Sequence, residues 1–302
     1  MKIGIVIVTF NNAEMLYSVI KALLVQTRRH DEIIIIDNGS MDNTHDMVKE
    51  FQDIRYVHLG ENTGSAGGFH EGIRLAIENN DFVMTLDDDI VLESNTLEIM
   101  EKYLVKLSGE NRLGAIRCWF VGQNTINDVR RIKDFAWRGT FINREAVIDI
   151  GLPKKEYFLY AEDVEYSYRL SKKGWDMFIV PEYFMVDKRK KEKLNMTVFG
   201  RDRSLYKDKF RYYYAIRNQI DMYLRYKMWS NLLESLIYGA KIIVLLGLTQ
   251  RVKSFGFIKA IIDGVWDGLR ARLGKNPKYL PDLNTGIETE AVKVIRTGWW
   301  LK

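Results

Sequence analysis

The sequence is poor in the residues that cross-link or interrupt secondary structure. Of its 302 residues only one is cysteine and four are proline. The single cysteine, Cys118, excludes an internal disulfide framework, and a reducing compartment is therefore expected. No stretch at the N-terminus has the charged, apolar and small-residue regions of a signal peptide. We expect a protein of the cytoplasm.

Long uninterrupted apolar runs are also lacking. The most apolar region, Leu232 to Leu248, contains Glu234 and Lys241, whereas a membrane-spanning helix needs about 20 mostly apolar residues. We therefore expect no membrane span. A chain of 302 residues that is 47% hydrophobic can nevertheless bury one sizeable core and carry a smaller appendage.

The excess of positive charge is small overall, at +5, but it is concentrated in one tract. Between Lys188 and Arg211 lysine and arginine accumulate, and such a tract can meet nucleic acid, anionic lipid or a diphosphate, or can be a solvated loop. Because no other feature suggests a nucleic-acid-binding module, we expect no nucleic-acid partner.

Short β-rich runs alternate with helical patterns over the first hundred residues, as in βαβ units. Helices are expected at Ala13–Gln26, about Asp42 to Phe51 and Ala66–Glu78. Four strands joined by right-handed crossovers make an open parallel sheet, which predicts an α/β fold. The predicted strands are Ile3–Phe10, Glu32–Asp37, Ile54–Leu59 and Phe82–Leu86.

Polar side chains follow each of these four predicted strands. Ligands of open parallel sheets bind outside the carboxyl ends of the strands, so these segments are the first candidates for a site. Turn residues are common at such places in any α/β protein, and position alone is a weak signal. The segments are Thr9-Phe10-Asn11, Asp37-Asn38-Gly39-Ser40, Glu61-Asn62-Thr63-Gly64 and Asp87-Asp88-Asp89.

Three consecutive aspartates end the fourth predicted strand. Carboxylates in such a place repel one another and lose water together, which is costly unless a cation or several donors compensate. In an extended segment Asp87 and Asp89 point to the same side while Asp88 faces away. Oxygen ligands from one or two carboxylates suit Mg²⁺ or Mn²⁺ shared with a substrate diphosphate. The alternative is a helix cap, with Asp89 capping a helix that begins near Leu92.

A second acidic cluster lies in Tyr157–Leu170, a segment expected to enter a helix. Glu162, Asp163 and Glu165 would occupy the first turn, where the helix dipole stabilises negative charge. The alternative to this purely structural role is a general base, because an attacking hydroxyl group must lose its proton to a group close by.

Five motifs follow one another along the chain: VTFNN (Val8–Asn12), DNGSMDNT (Asp37–Thr44), ENTGSAGGFHEG (Glu61–Gly72), TLDDDI (Thr85–Ile90) and AEDVEYSYRL (Ala161–Leu170). In order and spacing they resemble glycosyltransferase family 2, over about residues 1–187. The resemblance implies the GT-A fold and an inverting, metal-dependent transfer of a sugar from a nucleotide-diphosphate donor. The tracts GSAGGFHEG and YYYAIRN (Tyr212–Asn218) are most similar to the galactofuranosyltransferase and rhamnosyltransferase branch.

For the donor, the resemblance implies a binding set spread over the four strand ends, with a UDP-sugar favoured. Asp37 would accept a hydrogen bond from the base. Asn62 would lie beside Gly64, Gly67 and Gly68, where glycine lets the backbone approach the nucleotide closely. The expected donor-binding residues are Thr9, Phe10, Asn11, Asp37, Asn62, Gly67, Asp87 and Asp88.

For the metal and the chemistry, the resemblance implies a small set of carboxylates. Asp87 and Asp89 match the family's DXD pair, with Asp89 on Mn²⁺ or Mg²⁺. Asp187 stands where relatives often place a histidine ligand, and an aspartate there suits a hard cation. Its alternative role is a salt bridge with the adjacent lysines. Asp163 matches the catalytic base, although Glu162 precedes it where relatives often carry a second aspartate.

The resemblance also implies residues that bind the acceptor. The segment Trp137-Arg138-Gly139-Thr140-Phe141 lies where relatives build the pocket for the sugar and for a glycan or lipid-linked acceptor. Glu162 is expected to join it. Arg217 could reach the diphosphate or the acceptor, or could lie on a helix surface.

After about Lys193 the pattern becomes helical, with candidate helices at Tyr212–Met228, Asn231–Leu246 and Val252–Leu269. We therefore predict a catalytic domain at 1–195 and a helical region at 196–302. Aromatic residues alternate there with basic ones, which is typical of a water–membrane interface but also of core or homo-oligomer contacts. We expect peripheral contact with the inner face of the cell membrane. The aromatic residues are Tyr212, Tyr213, Tyr214, Trp229, Trp266, Trp299 and Trp300.

Other functions compete with this interpretation. A dTDP-rhamnosyl or other hexosyl transferase would share the same donor-binding motifs. A nicotinamide-dependent dehydrogenase is disfavoured, because TFNNAEM rather than a G-x-G-x-x-G turn follows the first strand. A nucleotide-sugar-binding or polyanion-binding protein without activity is the non-enzyme alternative, and Asp89 and Asp163 argue against it.

Overall fold

The computed structural model describes residues 1–120, 127–187, 193–198, 201–206, 208–250 and 255–281. Of the basic tract predicted between Lys188 and Arg211, residues 188–192, 199–200 and 207 lie outside these residues. Trp299 and Trp300 lie outside them as well.

A mixed β-sheet forms the centre of the molecule. Its strands are β1 (Ile3–Thr9), β2 (Glu32–Asp37), β3 (Ile54–His58), β4 (Phe82–Asp87), β5 (Ile90–Leu92), β6 (Leu113–Phe120), β7 (Arg130–Arg131), β8 (Thr140–Asn143) and β9 (Asp176–Asp187). The order is β3-β2-β1-β4-β8-β6-β9-β5, and β7 pairs with β9. The first four strands are parallel, as predicted, and β8 runs antiparallel to both β4 and β6.

Strands β1 and β2 read as continuous apolar runs because both of their faces are covered. Successive side chains of a strand point to opposite faces, so Ile5 and Ile7 enter one core layer while Val6 enters the other. Both layers are packed by helices. This arrangement holds the carboxyl ends of the parallel strands at one edge of the sheet.

The helices are α1 (Ala13–Leu24), α2 (Thr44–Val48), α3 (Gly64–Ala76), α4 (Thr96–Glu110), α5 (Arg144–Ile150), α6 (Glu162–Lys172), α7 (Lys209–Arg225), α8 (Trp229–Gln250) and α9 (Phe255–Leu269). Helix α3 packs directly on β1, since a Cβ added at Gly72 would lie 2.2 Å from Cγ1 of Val6. A Cβ at Gly68 would lie 2.5 Å from Cγ1 of Val8. The glycines of α3 are thus required by close packing.

Two sequence-based expectations about element positions are wrong. No helix begins near Leu92: β5 lies there and α4 begins at Thr96, so Asp89 caps no helix. The chain after Lys193 is not yet helical, because β10 (Lys193–Val198) pairs antiparallel with β11 (Arg201–Tyr206). Alternating apolar positions in KLNMTV favour a strand. The predicted domain boundary at 195/196 falls inside β10.

Helix α8 corrects the expectation that no stretch is long and apolar enough to span a membrane. Residues Trp229–Gly247 reach the required length with a mean hydropathy of 1.3, and 22% of them are buried. Glu234 and Lys241 are the only charges in this stretch, too few to lower its hydropathy below that of a span. Length and composition alone do not place the helix in a bilayer.

Candidate active site

Hydrogen bonds join the predicted nucleotide-binding loop after β1 to its neighbouring strand ends. Asp88 Oδ2 accepts a hydrogen bond from Thr9 Oγ1 at 2.7 Å and a longer one from Phe10 N at 3.4 Å. Asn11 N donates to Ser40 Oγ at 2.9 Å. Three of the four predicted strand ends therefore meet in one hydrogen-bonded rim.

Asp88 contributes to this rim by binding the loop that follows β1. Its carboxylate is buried against β1, and burial raises its pKa to about 6, with hydrogen bonds from Thr9 and Asn12 acting in the opposite direction. Asp88 therefore fixes the shape of the loop that carries Thr9 and Phe10.

Asp37 lies at the end of β2 and is 1% exposed. Ser40 N donates to its Oδ1 at 2.8 Å, and both the Tyr56 hydroxyl and His58 Nδ1 contact its Oδ2. Although burial opposes ionisation, these hydrogen bonds hold the pKa of Asp37 below its usual range. Sequence reasoning missed Tyr56 and His58. Their spacing of two along β3, which puts both on one face, was the available signal.

The glycine-rich start of α3 lies beside Asp37. Asn62 Oδ1 accepts a hydrogen bond from Gly64 N at 2.8 Å, while Asn38 Nδ2 donates to Gly64 O at 3.1 Å. Gly64 has φ = +72°, and a Cβ there would lie 2.0 Å from the carbonyl oxygen of Phe158. Only glycine both adopts this φ without strain and leaves room for the carbonyl oxygen of Phe158. A cavity of about 370 Å³ adjoins this turn and is lined partly by Asn62 and Gly67.

The predicted metal residues follow β4. Oδ2 of Asp87 lies 4.0 Å from Nε of Arg138. Asp89 precedes Ile90, and Ile90 pairs antiparallel with Asp187, so the backbones of Asp89 and Asp187 are neighbours. The side chain of Asp187 lies outside the described part of the structure.

The donor set at this place fits Mg²⁺ or Mn²⁺. Within the described residues, no group of three or more His, Cys, Asp and Glu side chains could hold a metal ion. A cage of that kind is not needed for these ions, which typically bind one or two carboxylates plus substrate phosphates. Asp87 and Asp89 carry carboxylate oxygens of the kind that would hold such an ion.

Glu162 and Asp163 begin α6 and face the end of β4. Oε1 of Glu162 accepts a hydrogen bond from the Ser65 hydroxyl, and its Oε2 is buried with no hydrogen-bond partner among the described residues. Oδ1 of Asp163 accepts from Val164 N at 2.8 Å. Burial raises the pKa of both carboxyl groups. Repulsion from Asp163 and Asp87 raises the pKa of Glu162 further, and repulsion from Asp134 and Asp87 raises that of Asp163. A carboxylate with a raised pKa is suited to accept a proton near neutral pH.

Arg117 and Asp134 also belong to this group of charges and were missed. Burial lowers the pKa of Arg117, as does repulsion from Arg138, while Asp134 and Asp163 oppose the shift. Arg117 is the only charged residue of β6, LGAIRCWF, and an isolated charge in a buried strand was the signal that could have found it.

In the predicted acceptor segment only Arg138 faces the carboxylates. Trp137 is 4% exposed and packs its ring 5.4 Å from that of Tyr166, so it belongs to the core rather than to a pocket. Gly139 and Thr140 are held by the backbone of β4 and β8, where Gly139 N donates to Thr85 O at 2.8 Å and Thr140 is fully buried.

Arg217 does not reach the carboxylates either, which corrects its predicted contact with diphosphate or acceptor. It is 1% exposed in the middle of α7. Its guanidinium donates to the carbonyl oxygens of Tyr157 and Gly274 and to Oδ1 of Asn218. These bonds use all three nitrogens, so the guanidinium is directed to partners inside the protein.

Comparison with known proteins supports a nucleotide-sugar site. Residues 4–193 match the family model described as Glycosyl transferase family 2. The chain is 31% identical over 134 residues to the uncharacterized glycosyltransferase MG060 of Mycoplasma genitalium, covering 39% of this chain and 43% of that protein. It is 26% identical over 191 residues to the poly-beta-1,6-N-acetyl-D-glucosamine synthase of Staphylococcus aureus, covering 55% and 45%. The chain thus spans less than half the length of these curated relatives.

Solved structures share the fold at low identity. TarS residues 1–349 of S. aureus, in complex with UDP-GlcNAc, superposes with a TM-score of 0.59 at 15% identity, covering 90% of this chain and 82% of that one. The mannosyltransferase PcManGT of Pyrobaculum calidifontis, in complex with GDP-Man and Mn²⁺, gives 0.58 at 14% identity, with 90% and 88% covered. The predicted GT-A architecture is confirmed.

Proposed function

Because the chain belongs to glycosyl transferase family 2, we propose that it moves a sugar from a nucleotide-diphosphate donor to a hydroxyl group of a glycan or lipid-linked acceptor. One observation carries the proposal: the aspartates that end β4 and the carboxylates that begin α6 converge on one edge of the sheet. This edge is where open α/β sheets bind their ligands.

The donor would bind across the rim formed by the strand ends. Thr9, Phe10 and Asn11 would contact the nucleotide. Asp89 and Asp87, with Asp187 as a third candidate, would hold Mn²⁺ or Mg²⁺. The metal would neutralise the charge that develops on the departing diphosphate.

Asp163 would act as general base in a single displacement. The acceptor oxygen forms a bond to the anomeric carbon, the bond from that carbon to the diphosphate oxygen breaks with its electron pair, and the acceptor proton goes to Asp163. Attack from the side opposite the diphosphate inverts the anomeric configuration. Glu162 and Arg138 would contact the sugar or the acceptor.

For the sugar we propose galactofuranose from UDP-galactofuranose, which rests on the tracts GSAGGFHEG and YYYAIRN. A dTDP-rhamnosyl or other hexosyl transfer is the alternative. The binding of UDP-GlcNAc by TarS and the name of the S. aureus synthase support a UDP donor and a role in cell-surface polysaccharide synthesis. A catalytically silent nucleotide-sugar-binding protein is the non-enzyme alternative.

A thermal-shift screen of nucleotide sugars with and without Mn²⁺ tests this function. A ligand that binds only the folded protein raises its apparent stability by RT ln(1 + [L]/Kd), or about 2.7 kcal/mol at a hundredfold excess over Kd. We expect a UDP-sugar to raise the Tm only when Mn²⁺ is present. If no nucleotide sugar raises it, the proposed function is wrong.

The location we propose is the cytoplasmic face of a membrane. Helices α8 and α9 expose an apolar face made of Trp229, Leu233, Ile237 and Val244 on α8 and Phe255, Ile262 and Trp266 on α9. On α8 these positions recur at intervals that keep them on one side of the helix. The guanidinium of Arg270 covers the Trp266 ring, a pairing of cation and aromatic ring suited to lipid headgroups.

A further inference from the structure

The loop that leads into α6 has a backbone that its own residues do not favour. Phe158, Tyr160 and Ala161 all have left-handed φ values, of +64°, +67° and +65°, and none of them is glycine. A positive φ is unfavourable for such residues because the Cβ crowds the following carbonyl oxygen. Such conformations persist only where the surrounding structure imposes them. Ala161 also provides no side-chain cap for α6.

Asn218 on α7 imposes this conformation. Its Nδ2 lies 2.9, 2.8 and 2.7 Å from the carbonyl oxygens of Tyr157, Leu159 and Tyr160, respectively. The two N–H donors of this NH₂ group thus serve three carbonyl oxygens among the four residues that precede Ala161, with one donor shared between two of them. Asn218 is fully buried, so water does not compete for these bonds.

Arg217 in turn orients Asn218. Its Nε donates to Asn218 Oδ1 at 2.9 Å, which turns the NH₂ group of Asn218 toward the loop, and its Nη2 donates to Tyr157 O at 2.9 Å. In the described part of the chain its other contacts include the ring of Tyr214 and the carbonyl of Gly274 rather than a carboxylate. Arg217 therefore contributes through the fixed geometry of its N–H donors.

The same loop also contacts the glycine-rich turn. Phe158 O accepts a hydrogen bond from Ala66 N at 3.1 Å, next to the position where Gly64 allows close approach. Residues 157–161 therefore link α7 to the start of α3 and to the start of α6. Displacing them would move Glu162 and Asp163 relative to the strand ends.

We propose that Arg217 and Asn218 are positioning residues that hold Asp163 in place for proton transfer, through the loop 157–161. This inference rests on the proposed function, because it takes Asp163 as the general base. The two residues touch neither donor nor acceptor. Their effect is on the orientation of the carboxylates.

The test is Asn218→Ala in the full chain, with Gln219→Ala as the matched control. Gln219 is the next residue of α7, and its amide contacts Ser235 on α8 instead of the loop. The readouts are kcat and donor KM for UDP release from the nucleotide sugar that the screen selects, UDP affinity by calorimetry, and Tm. Misplacement of a reacting group by about 1 Å can cost on the order of 100-fold in rate.

We expect Asn218→Ala to lower kcat by about 10- to 100-fold at nearly unchanged donor KM and UDP affinity, since the donor is held by the strand ends. Gln219→Ala should lower the Tm with kcat retained. Arg217→Lys, which keeps the charge but loses the bond to Asn218 Oδ1, should lower kcat in the same way, and it carries the comparison if Asn218→Ala does not fold.

If Asn218→Ala and Arg217→Lys lower the Tm but leave kcat unchanged, the inference is overturned, because a purely structural contact affects stability alone. Failure of both variants to fold would overturn it too, since the contacts would then be required for the fold as a whole. Wild-type turnover by Asp163→Asn would instead contradict the proposed function. The two failures are therefore distinguishable.

Discussion

Two neighbouring carboxyl groups begin α6, and their partners give them different chemistry. Glu162 is 3% exposed, and burial together with repulsion from Asp163 raises its pKa to about 8, which favours the protonated form although a hydrogen bond from the Ser65 hydroxyl opposes the shift. Asp163 is more exposed, and although burial raises its pKa too, to about 6, the hydrogen bond that it accepts from the backbone N–H of Val164 opposes this rise and stabilises the ionised form. The pair is thus arranged so that Asp163 is the one available to accept a proton.

Replacing Asp163 by Asn should abolish most turnover without affecting donor binding. The amide keeps the shape of the side chain but removes its basicity, and general-base contributions amount to about 10²–10⁴-fold. Steady-state kcat should fall by that order, while calorimetric UDP affinity stays nearly the same.

Glu165→Gln is the control on the same helix turn. Glu165 is fully buried and pairs with Lys154 at 2.8 Å and Arg169 at 3.0 Å, away from the site, so this variant should lose stability and keep its kcat. Turnover of Asp163→Asn at the wild-type rate, or a product that retains the anomeric configuration of the donor, would contradict the role of Asp163.

At the scale of elements, the turn between β3 and α3 joins the nucleotide rim to the loop before α6. Gly64→Ala should destabilise the protein in two ways. A left-handed alanine costs about 1–2 kcal/mol, and its Cβ would also meet Phe158 O, a form of overpacking that typically costs about 1–3 kcal/mol more. Each kcal/mol lowers the Tm of a domain of this size by roughly 2–4 °C.

Gly60→Ala separates the two contributions. Gly60 has φ = +75°, but a Cβ there would meet nothing within 4 Å, so this variant isolates the backbone cost. We expect Gly64→Ala to lower the Tm further than Gly60→Ala and to weaken UDP binding. Equal Tm losses would show that the contact with Phe158 O is not tight.

The parallel strands were predictable because strands covered on both faces appear as continuous apolar runs, as in EIIIID. The other half of the sheet was not. The antiparallel insertion of β8 between β4 and β6 depends on tertiary pairing that no local pattern encodes. The helix expected near Leu92 failed for the same reason, since Ile90–Leu92 pair with β9.

For the site, the motifs gave the backbone positions of the carboxylates but not the partners of each side chain. Arg217 was expected to reach the diphosphate or the acceptor, or to lie on a helix surface, and only the structure shows its carbonyl partners. Trp137 was assigned to a pocket because its segment lies where relatives build one, whereas its ring packs against Phe69 and Tyr166. Such outcomes depend on contacts between residues far apart in the chain.

At the scale of the whole molecule, the apolar face of α8 and α9 predicts membrane binding. Leu233 is 59% and Val244 60% exposed, which is costly in water. Sedimentation with acidic liposomes should bring the protein into the pellet at low salt. High salt should reduce the fraction in the pellet, because salt screens the attraction of Lys and Arg to the anionic surface, which amounts to about 1 kcal/mol for each residue.

The double variant Leu233→Ser, Ile237→Ser should stay in the supernatant. Val105→Ser, which removes an equally exposed apolar side chain from α4, is its control and should sediment like wild type. Wild-type protein that remains in the supernatant at low salt would contradict membrane docking. A dimer in light scattering would then assign the same face to a second copy of the chain.

The account as a whole depends on a metal-dependent nucleotide-diphosphate site at the carboxyl ends of the strands. Calorimetry of UDP binding in the presence and absence of Mn²⁺, on wild type and Asp89→Ala, tests this most directly, with the exposed Asp149→Ala as control. We predict that wild type and Asp149→Ala bind UDP only with Mn²⁺ and that Asp89→Ala loses this metal-dependent binding. UDP binding that is unchanged in Asp89→Ala, or that is the same with and without Mn²⁺ in wild type, would contradict the account.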